Sequence, residues 1–207
     1  MKRCVIVGGA PINDYNRIKG LFGGEDYVIV CDSGLKHLDK LCLTPNLIIG
    51  DFDSCDKPKT NIETIVLPRE KDDTDSFFAV KEAVRRGFDE FLIFGAIGGR
   101  LDHSLGNISI LLYLQGLGKR AKIVDDFSVM EIVSSYAEID DSYSYFSLLA
   151  IDGDAEGVSI ENAKFPLNNA RISADYQYGI SNEVIKGKNA TVSVKSGVLL
   201  LVKVENA

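Results

Sequence analysis

Three short stretches of this sequence hold the side chains that could do chemistry. In Ile48-Ile49-Gly50-Asp51-Phe52-Asp53-Ser54 an apolar run ends in two carboxylates spaced i, i+2. At the C-terminal end of a parallel strand, where open α/β sheets place their ligands, that spacing presents both groups to one divalent cation. Lys71-Asp72-Asp73-Thr74-Asp75 places three more acids before a helical pattern. Each stretch also has a bland reading. The first could be a polar turn, and the second a helix start, where acids and capping residues are favoured anyway. Taken together, Asp51, Asp53, Asp72, Asp73 and Asp75 lie beyond neighbouring strands. Like charges that close repel by several kcal/mol at an effective dielectric of about 20, so the gathering requires a counter-charge. Oxygen donors with no His or Cys beside them favour Mg²⁺ over zinc, and Mg²⁺ commonly bridges a few carboxylates to substrate phosphates.

The third stretch is Gly95-Ala96-Ile97-Gly98-Gly99-Arg100-Leu101-Asp102-His103, a glycine-rich link from strand to helix. Backbone N–H groups there can hold phosphate, Arg100 can pair with it bidentately, and Asp102 can accept from a ribose or a neighbouring N–H. The pattern is neither G-x-G-x-x-G nor Walker, and read alone it is a structural turn. Gly8-Gly9-Ala10 is a weaker loop facing the same crevice, and Gly179-Ile180-Ser181-Asn182-Glu183 reads as a polar turn. An aspartyl-phosphate phosphatase would also use D-x-D. However, Cys55 stands where that motif wants Thr or Val, and the motif follows the third strand rather than the first.

Elements to position these residues follow from periodicity. Strands are predicted at Cys4–Val7, Tyr27–Cys31, Leu47–Ile49, Glu63–Leu67, Glu90–Phe94 and Ala121–Val124, alternating with helical segments. Gly34–Leu41 reads as a helix. A second, capped by Asp73 or Thr74, runs to Arg86 with Phe77, Val80 and Val84 on one face and Gly87 as its stop. In a third, Leu101, Leu105, Ile108 and Leu112 form the apolar stripe, ending near Gly116. After about residue 125 the period becomes two; Thr191–Lys195 and Val198–Val204, turning at Ser196-Gly197, read as a hairpin. The expected architecture is an α/β N-terminal domain with a mostly parallel, Rossmann-like sheet (1–125), then an all-β sandwich domain (126–207).

The 207 residues are 45% hydrophobic and 26% charged, which argues for a folded core, and a net charge of −7 argues against nucleic acid or anionic membrane as partner. No apolar run approaches the roughly 20 residues of a membrane span. Cys4 and Cys31 lie in apolar strands and read as buried, reduced thiols, which places the chain in the cytoplasm.

In order along the chain, Asp32-Ser33-Gly34, Gly50-Asp51-Phe52-Asp53-Ser54, Asp72-Asp73-Thr74-Asp75, Gly98-Gly99-Arg100-Leu101-Asp102-His103 and Gly179-Ile180-Ser181-Asn182-Glu183 closely resemble the thiamine pyrophosphokinase family over essentially the whole chain. The resemblance implies transfer of the pyrophosphate group of ATP to thiamine, giving thiamine diphosphate and AMP. It further implies an ATP- and Mg²⁺-binding first domain, a thiamine-binding second domain, and a homodimer with the thiamine site at the subunit interface. By resemblance, Asp51, Asp53, Asp72 and Asp75 are the catalytic and Mg²⁺-holding set. Asp32, Lys71, Gly98, Gly99, Arg100, Asp102 and His103 fall on the ATP side, and Asp32, Ser181 and Asn182 on the thiamine side. Asp72 or Asp32 would accept the thiamine hydroxyl proton. The chain departs from the family where Ser33-Gly34-Leu35-Lys36 replaces a common Gly-Gly-Ala-Asn, and where Lys71 replaces the Gln of animal members. Two other readings use the same acids: a different Mg²⁺-dependent phosphotransferase or phosphatase, and a non-catalytic nucleotide- or thiamine-binding module.

Overall fold

A computed structural model of the chain describes residues 2–52, 58–68, 70 and 72–205. Asp53 and Lys71 therefore lie outside the described residues. The chain divides into two compact units, Met1–Asp126 and Phe127–Ala207.

In the first unit, strands β1 (Arg3–Val7), β2 (Tyr27–Cys31), β3 (Leu47–Gly50), β4 (Glu63–Val66), β5 (Glu90–Phe94) and β6 (Arg120–Val124) form a sheet in the order β4-β3-β2-β1-β5-β6. Every pairing among these six is parallel. The near-continuous burial of Val5, Ile6, Ile29, Val30, Ile48, Ile49, Ile93 and Phe94 is what a parallel sheet covered on both faces demands. Strand order reverses at β1, with β2 on one side and β5 on the other, so a crevice opens beyond their C-terminal ends. The first turns of the two loops there are joined. Gly8 N–H donates to the Phe94 carbonyl and Ala10 N–H to the Gly95 carbonyl, both at 2.8 Å. A methyl group on Gly8 would stand 2.5 Å from the Gly95 oxygen.

Helices α1 (Tyr15–Lys19), α2 (Leu38–Leu41), α3 (Asp75–Arg85) and α4 (Leu101–Gly116) complete the unit. The helix expected over 34–41 is a 3₁₀ segment, Asp32–His37, continuing into α2. The tighter winding brings Gly34 against the end of β1, where a Cβ would lie 2.9 Å from the Gly8 oxygen. Thr74 caps α3, its Oγ1 accepting from Phe77 N–H at 3.2 Å, and Gly87 ends it at φ 85°. Ala79, Val80 and Ala83 form the buried face of α3. Phe77 packs edge-on against Tyr113 of α4, ring centres 5.0 Å apart.

The apolar stripe expected on α4 is not its buried face. Leu101 and Leu105 are 72% and 58% exposed, whereas Ser104, Asn107, Ile110, Leu111 and Leu114 are buried. The helix is apolar nearly all round, so several stripes at helical spacing exist, and polar contacts decide between them. Ser104 Oγ donates to the Arg100 carbonyl and accepts from Gly98 N–H, each at 3.0 Å, and Asn107 Nδ2 donates to the Ala96 carbonyl at 2.7 Å.

At the N-terminal ends of the strands Arg86 ties α3 to the sheet. Its guanidinium reaches Glu82 (2.7 Å), Tyr27 Oη (2.7 Å) and Glu63 (2.5 Å), while Arg85 holds Glu82 bidentately at 2.7 and 2.8 Å. These contacts hold the Glu63 and Glu82 carboxylates below their usual range, the hydrogen bonds to Arg86 and Arg85 being the leading causes.

The second unit is β-rich: β7 (Ser128–Val133), β8 (Tyr136–Ile139), β9 (Tyr145–Ala150), β10 (Ala155–Glu161), β11 (Leu167–Ile172), β12 (Ala190–Ser193) and β13 (Leu199–Val204). β13 pairs with β7 and β9, and a second sheet runs β11-β10-β12-β8, all antiparallel. The expected hairpin between β12 and β13 does not form, because the two strands belong to different sheets. Gly197 (φ 82°) carries the chain across instead of back. The alternation is still satisfied, since Val192 and Val194 face the same core as Leu199 and Leu201, together with Phe146, Leu148, Val158 and Ile160. Among the described residues no helix is long and apolar enough to cross a membrane.

Candidate active site

The acids converge on the C-terminal edge of the first unit's sheet. Asp32 opens the 3₁₀ segment directly after β2, Asp51 follows β3, and Asp75 is the first residue of α3. One carboxylate oxygen from each lies within 4.8 Å of the others. Asp32 is 4% exposed and accepts from Ser33 N–H. Gly50 makes this arrangement possible, since a Cβ there would lie 2.9 Å from Asp32 Cγ. The other expected acids fall differently. Asp73 is ion-paired with Lys81, and Asp72 is exposed and outside the trio. Strand ends and a helix start thus bring together a trio that includes Asp32, which stands nineteen positions from Asp51 in the sequence.

The trio's Asp51 and Asp75 line a cleft of about 400 Å³, with Gly9, Ala10 and Pro11 on one wall and Gly95, Ala96, Gly98, Gly99, Arg100, His103 and Asn107 on another. Gly98 and Gly99 take φ of 108° and 70°, a backbone conformation that keeps this loop to glycine. Arg100 is paired with Asp102 at 2.5 and 3.1 Å, and Asp102 also accepts from His103 N–H at 3.0 Å. The Arg100 guanidinium, helped by that N–H, brings the Asp102 carboxyl down to about 2. Both side chains are well exposed, 70% and 65%, so the guanidinium can exchange this carboxylate for another anion.

Sequence reasoning did not single out the residues that brace the cleft. Ser104 and Asn107, three apart on an apolar helix, are one such pair, and their polarity within that pattern was the available signal. His37 and Lys36 are another. Lys36 Nζ donates to the Gly9 carbonyl at 2.5 Å, and buried His37 places Nε2 2.9 Å from the Ala10 carbonyl. A carbonyl only accepts, so Nε2 bears the proton, and in the neutral ring Nδ1 accepts from Tyr15 Oη–H at 2.8 Å. Burial holds the His37 pKa below the ordinary imidazole value, which favours that neutral ring.

In the second unit, the turn at 179–183 lies along the free edge of β9. Leu148 N–H donates to Gly179 O at 2.8 Å, Phe146 and Asn182 exchange backbone hydrogen bonds at 2.9 and 2.8 Å, and Ser181 N–H donates to Ser147 Oγ at 3.0 Å. Asn182 is buried. Its Oδ1 accepts from Phe165 and Glu183 N–H, and its Nδ2 donates to the Phe165 carbonyl. Ser181, at φ 57°, is exposed, and beside it Ile180 and Tyr178 are 53% and 41% exposed.

Two family models match this chain. One, described as Thiamin pyrophosphokinase, catalytic domain, covers residues 18–124; the other, Thiamin pyrophosphokinase, vitamin B1 binding domain, covers 133–199. They define the class, a chain with a catalytic region followed by a vitamin-binding region. The chain belongs to the thiamin pyrophosphokinase family, the family its motifs resemble. It is 30% identical to the thiamine pyrophosphokinase of Bacillus subtilis (strain 168) over 98% of this chain and 99% of that one. Among solved structures, thiamine pyrophosphokinase from Bacillus subtilis superposes with a TM-score of 0.88 at 27% identity over the whole of both chains. Thiamin pyrophosphokinase from Geobacillus thermodenitrificans gives 0.84 at 28% identity, covering 99% of this chain and 98% of that one. The enzyme from Candida albicans, at 12% identity and TM-score 0.76 over 99% of this chain and 89% of that one, shares the fold.

Proposed function

We propose that this chain moves the β,γ-pyrophosphoryl group of ATP onto the hydroxyethyl oxygen of thiamine, giving thiamine diphosphate and AMP. The observation that carries this reading is the convergence of Asp32, Asp51 and Asp75 at the edge of a cleft walled by the Gly95–Arg100 loop, in a chain that aligns over nearly its full length with a thiamine pyrophosphokinase. Phosphoryl transfer needs positioning and charge neutralisation more than a covalent nucleophile, and clustered acids with an Arg and backbone donors supply both.

In this reading Asp51, Asp53 and Asp75 hold Mg²⁺, with Asp32 beside them and Asp72 reaching it directly or through water. The all-carboxylate donor set suits a hard cation. When bound, Mg²⁺ supplies positive charge to the phosphate oxygens. Gly98, Gly99, Asp102, His103 and Lys71 serve the ATP side, where Arg100 releases Asp102 and takes a phosphate. Asp32 or Asp72 accepts the proton of the thiamine hydroxyl as its oxygen bonds to the β-phosphorus and the bond to the bridging oxygen of AMP breaks. On the thiamine side Ser181 presents its exposed hydroxyl, and Asn182 fixes the turn that carries it.

The architecture proposed is a Rossmann-like catalytic domain (1–125) and a β-sandwich thiamine-binding domain (126–207), supported by the parallel strand order and by two antiparallel sheets sharing one core. A homodimer with the thiamine site at its interface belongs to this reading, and each unit by itself carries large, apolar, exposed side chains that such an assembly could cover, Leu101 and Leu105 on the first and Phe165 and Ile180 on the second. Free Cys4, Cys31 and Cys42 support a reducing, cytoplasmic setting.

Incubation with ATP, Mg²⁺ and thiamine, followed by identification of the nucleotide product, tests the reaction. AMP formed one-for-one with thiamine diphosphate is expected. ADP or free phosphate would indicate a different phosphotransferase or phosphatase, and no turnover a binding module.

A further inference from the structure

One polar side chain in the cleft has a hydrogen-bonding group that the fold holds in place and does not use. Asn107 is 8% exposed and lines the cleft from the face of α4 that also carries His103, one turn earlier. Its Nδ2 donates to the Ala96 carbonyl at 2.7 Å. Because a carbonyl cannot donate, this contact settles which end of the amide is which and holds Oδ1 on the other side. Oδ1 makes no hydrogen bond to a described residue. Among the described residues no fully buried side-chain nitrogen or oxygen lacks a partner. Oδ1 is therefore open, and the opening is the cleft.

We infer that Asn107 contacts the substrate directly, its Oδ1 accepting a hydrogen bond from an N–H or O–H donor of the nucleotide. The inference rests on the reading that this cleft takes ATP. An amide oxygen repels ionised phosphate, so the partner is a donor elsewhere on the molecule: the exocyclic amine of the base or a hydroxyl of the ribose. The residue contributes to the choice of nucleotide, and the Ala96 carbonyl positions it. A buried acceptor left unpaired by the wrong ligand is a strong discriminator, since it loses water and gains nothing.

The test measures KM and kcat of the wild-type chain and of Asn107→Ala with ATP, purine riboside triphosphate (no exocyclic amine), 2′-deoxy-ATP and 3′-deoxy-ATP. In the wild type one of the three analogues should raise KM about three- to tenfold at nearly unchanged kcat, as loss of one hydrogen bond predicts. In Asn107→Ala that same analogue should be no worse than ATP. Selective loss with purine riboside triphosphate assigns the base amine, and with a deoxynucleotide the ribose hydroxyl. If the wild type treats all four nucleotides alike, or the variant keeps the wild-type ratios, the assignment is overturned. The wild-type series decides this even if Asn107→Ala fails to fold. Failure of wild-type chain to make AMP from ATP overturns the activity reading itself, a result separate from unchanged ratios.

Discussion

The two ends of the parallel sheet treat acids in opposite ways. At the N-terminal ends of the strands, Glu63 and Glu82 are matched by Arg85 and Arg86 through contacts of 2.5 to 3.0 Å, with Tyr27 completing the set. At the C-terminal ends Asp32, Asp51 and Asp75 are turned toward one another within 4.8 Å. The first arrangement is balanced within the chain and fastens α3 to the sheet. The second gathers three carboxylates at one edge of the cleft, an arrangement that favours a cation joining them. The same residue class is structural where each acid is matched by arginine at the far end of the sheet, and points to chemistry where the fold gathers acids beside a cleft.

If that contrast is right, the largest effect comes from the gathered acids. Asp51→Asn should lower kcat by about 10²–10³, the range for removing one preorganised electrostatic contact. A parent-like turnover number at limiting Mg²⁺ would break the comparison.

Next in size, Arg100→Ala should raise KM for ATP about ten- to a hundredfold, the loss of a charge-assisted contact, with no measurable change in melting. A change in melting without one in KM would return Arg100 to structure.

At the balanced end, Arg86→Met should behave inversely. It leaves Glu63 without its guanidinium and buried Glu82 with Arg85 alone, so denaturant titration should show a loss of about 1–3 kcal/mol while kcat stays within about twofold.

The smallest effect concerns pH. His37 has a folded-state pKa below its unfolded value because it is buried. As pH falls below about 6.5, the unfolded chain binds the proton more readily than the folded one, so stability is full above that value and declines beneath it. His37→Gln, which keeps a donor for the Ala10 carbonyl, should flatten that decline. An unchanged slope would show that His37 does not set it.

What the sequence revealed, and what it withheld, follows from what each pattern encodes. The β-branched runs at Val5–Val7, Val28–Val30 and Ile48–Ile49 mark strands buried on both faces, and all three are strands of the parallel sheet. Alternation over 191–204 encodes which face of each strand is apolar but not which strand is its neighbour, so β12 and β13 could share a core from two sheets. On α4, leucines at every register left the buried face to Ser104 and Asn107, whose partners are backbone groups of a loop. The acid trio was legible as acids at strand ends and a helix start. Asp32 entered through the family resemblance, because a single carboxylate after β2 has no local pattern to mark it, while Asp73, just before α3, is ion-paired with Lys81 of that helix.

The junction of Gly8–Ala10 with Phe94–Gly95 also bears on remodelling this cleft. Two shared hydrogen bonds and a glycine-to-glycine contact make the first turns beyond β1 and β5 a single mechanical part. A residue added or enlarged on either loop there is felt by both. Variation aimed at new nucleotides therefore has its freedom farther out, at Arg100 and on α4, because Gly98 and Gly99, although only the Pro11 side chain at 3.8 Å lies near a new Cβ there, hold positive φ values that strain any other residue.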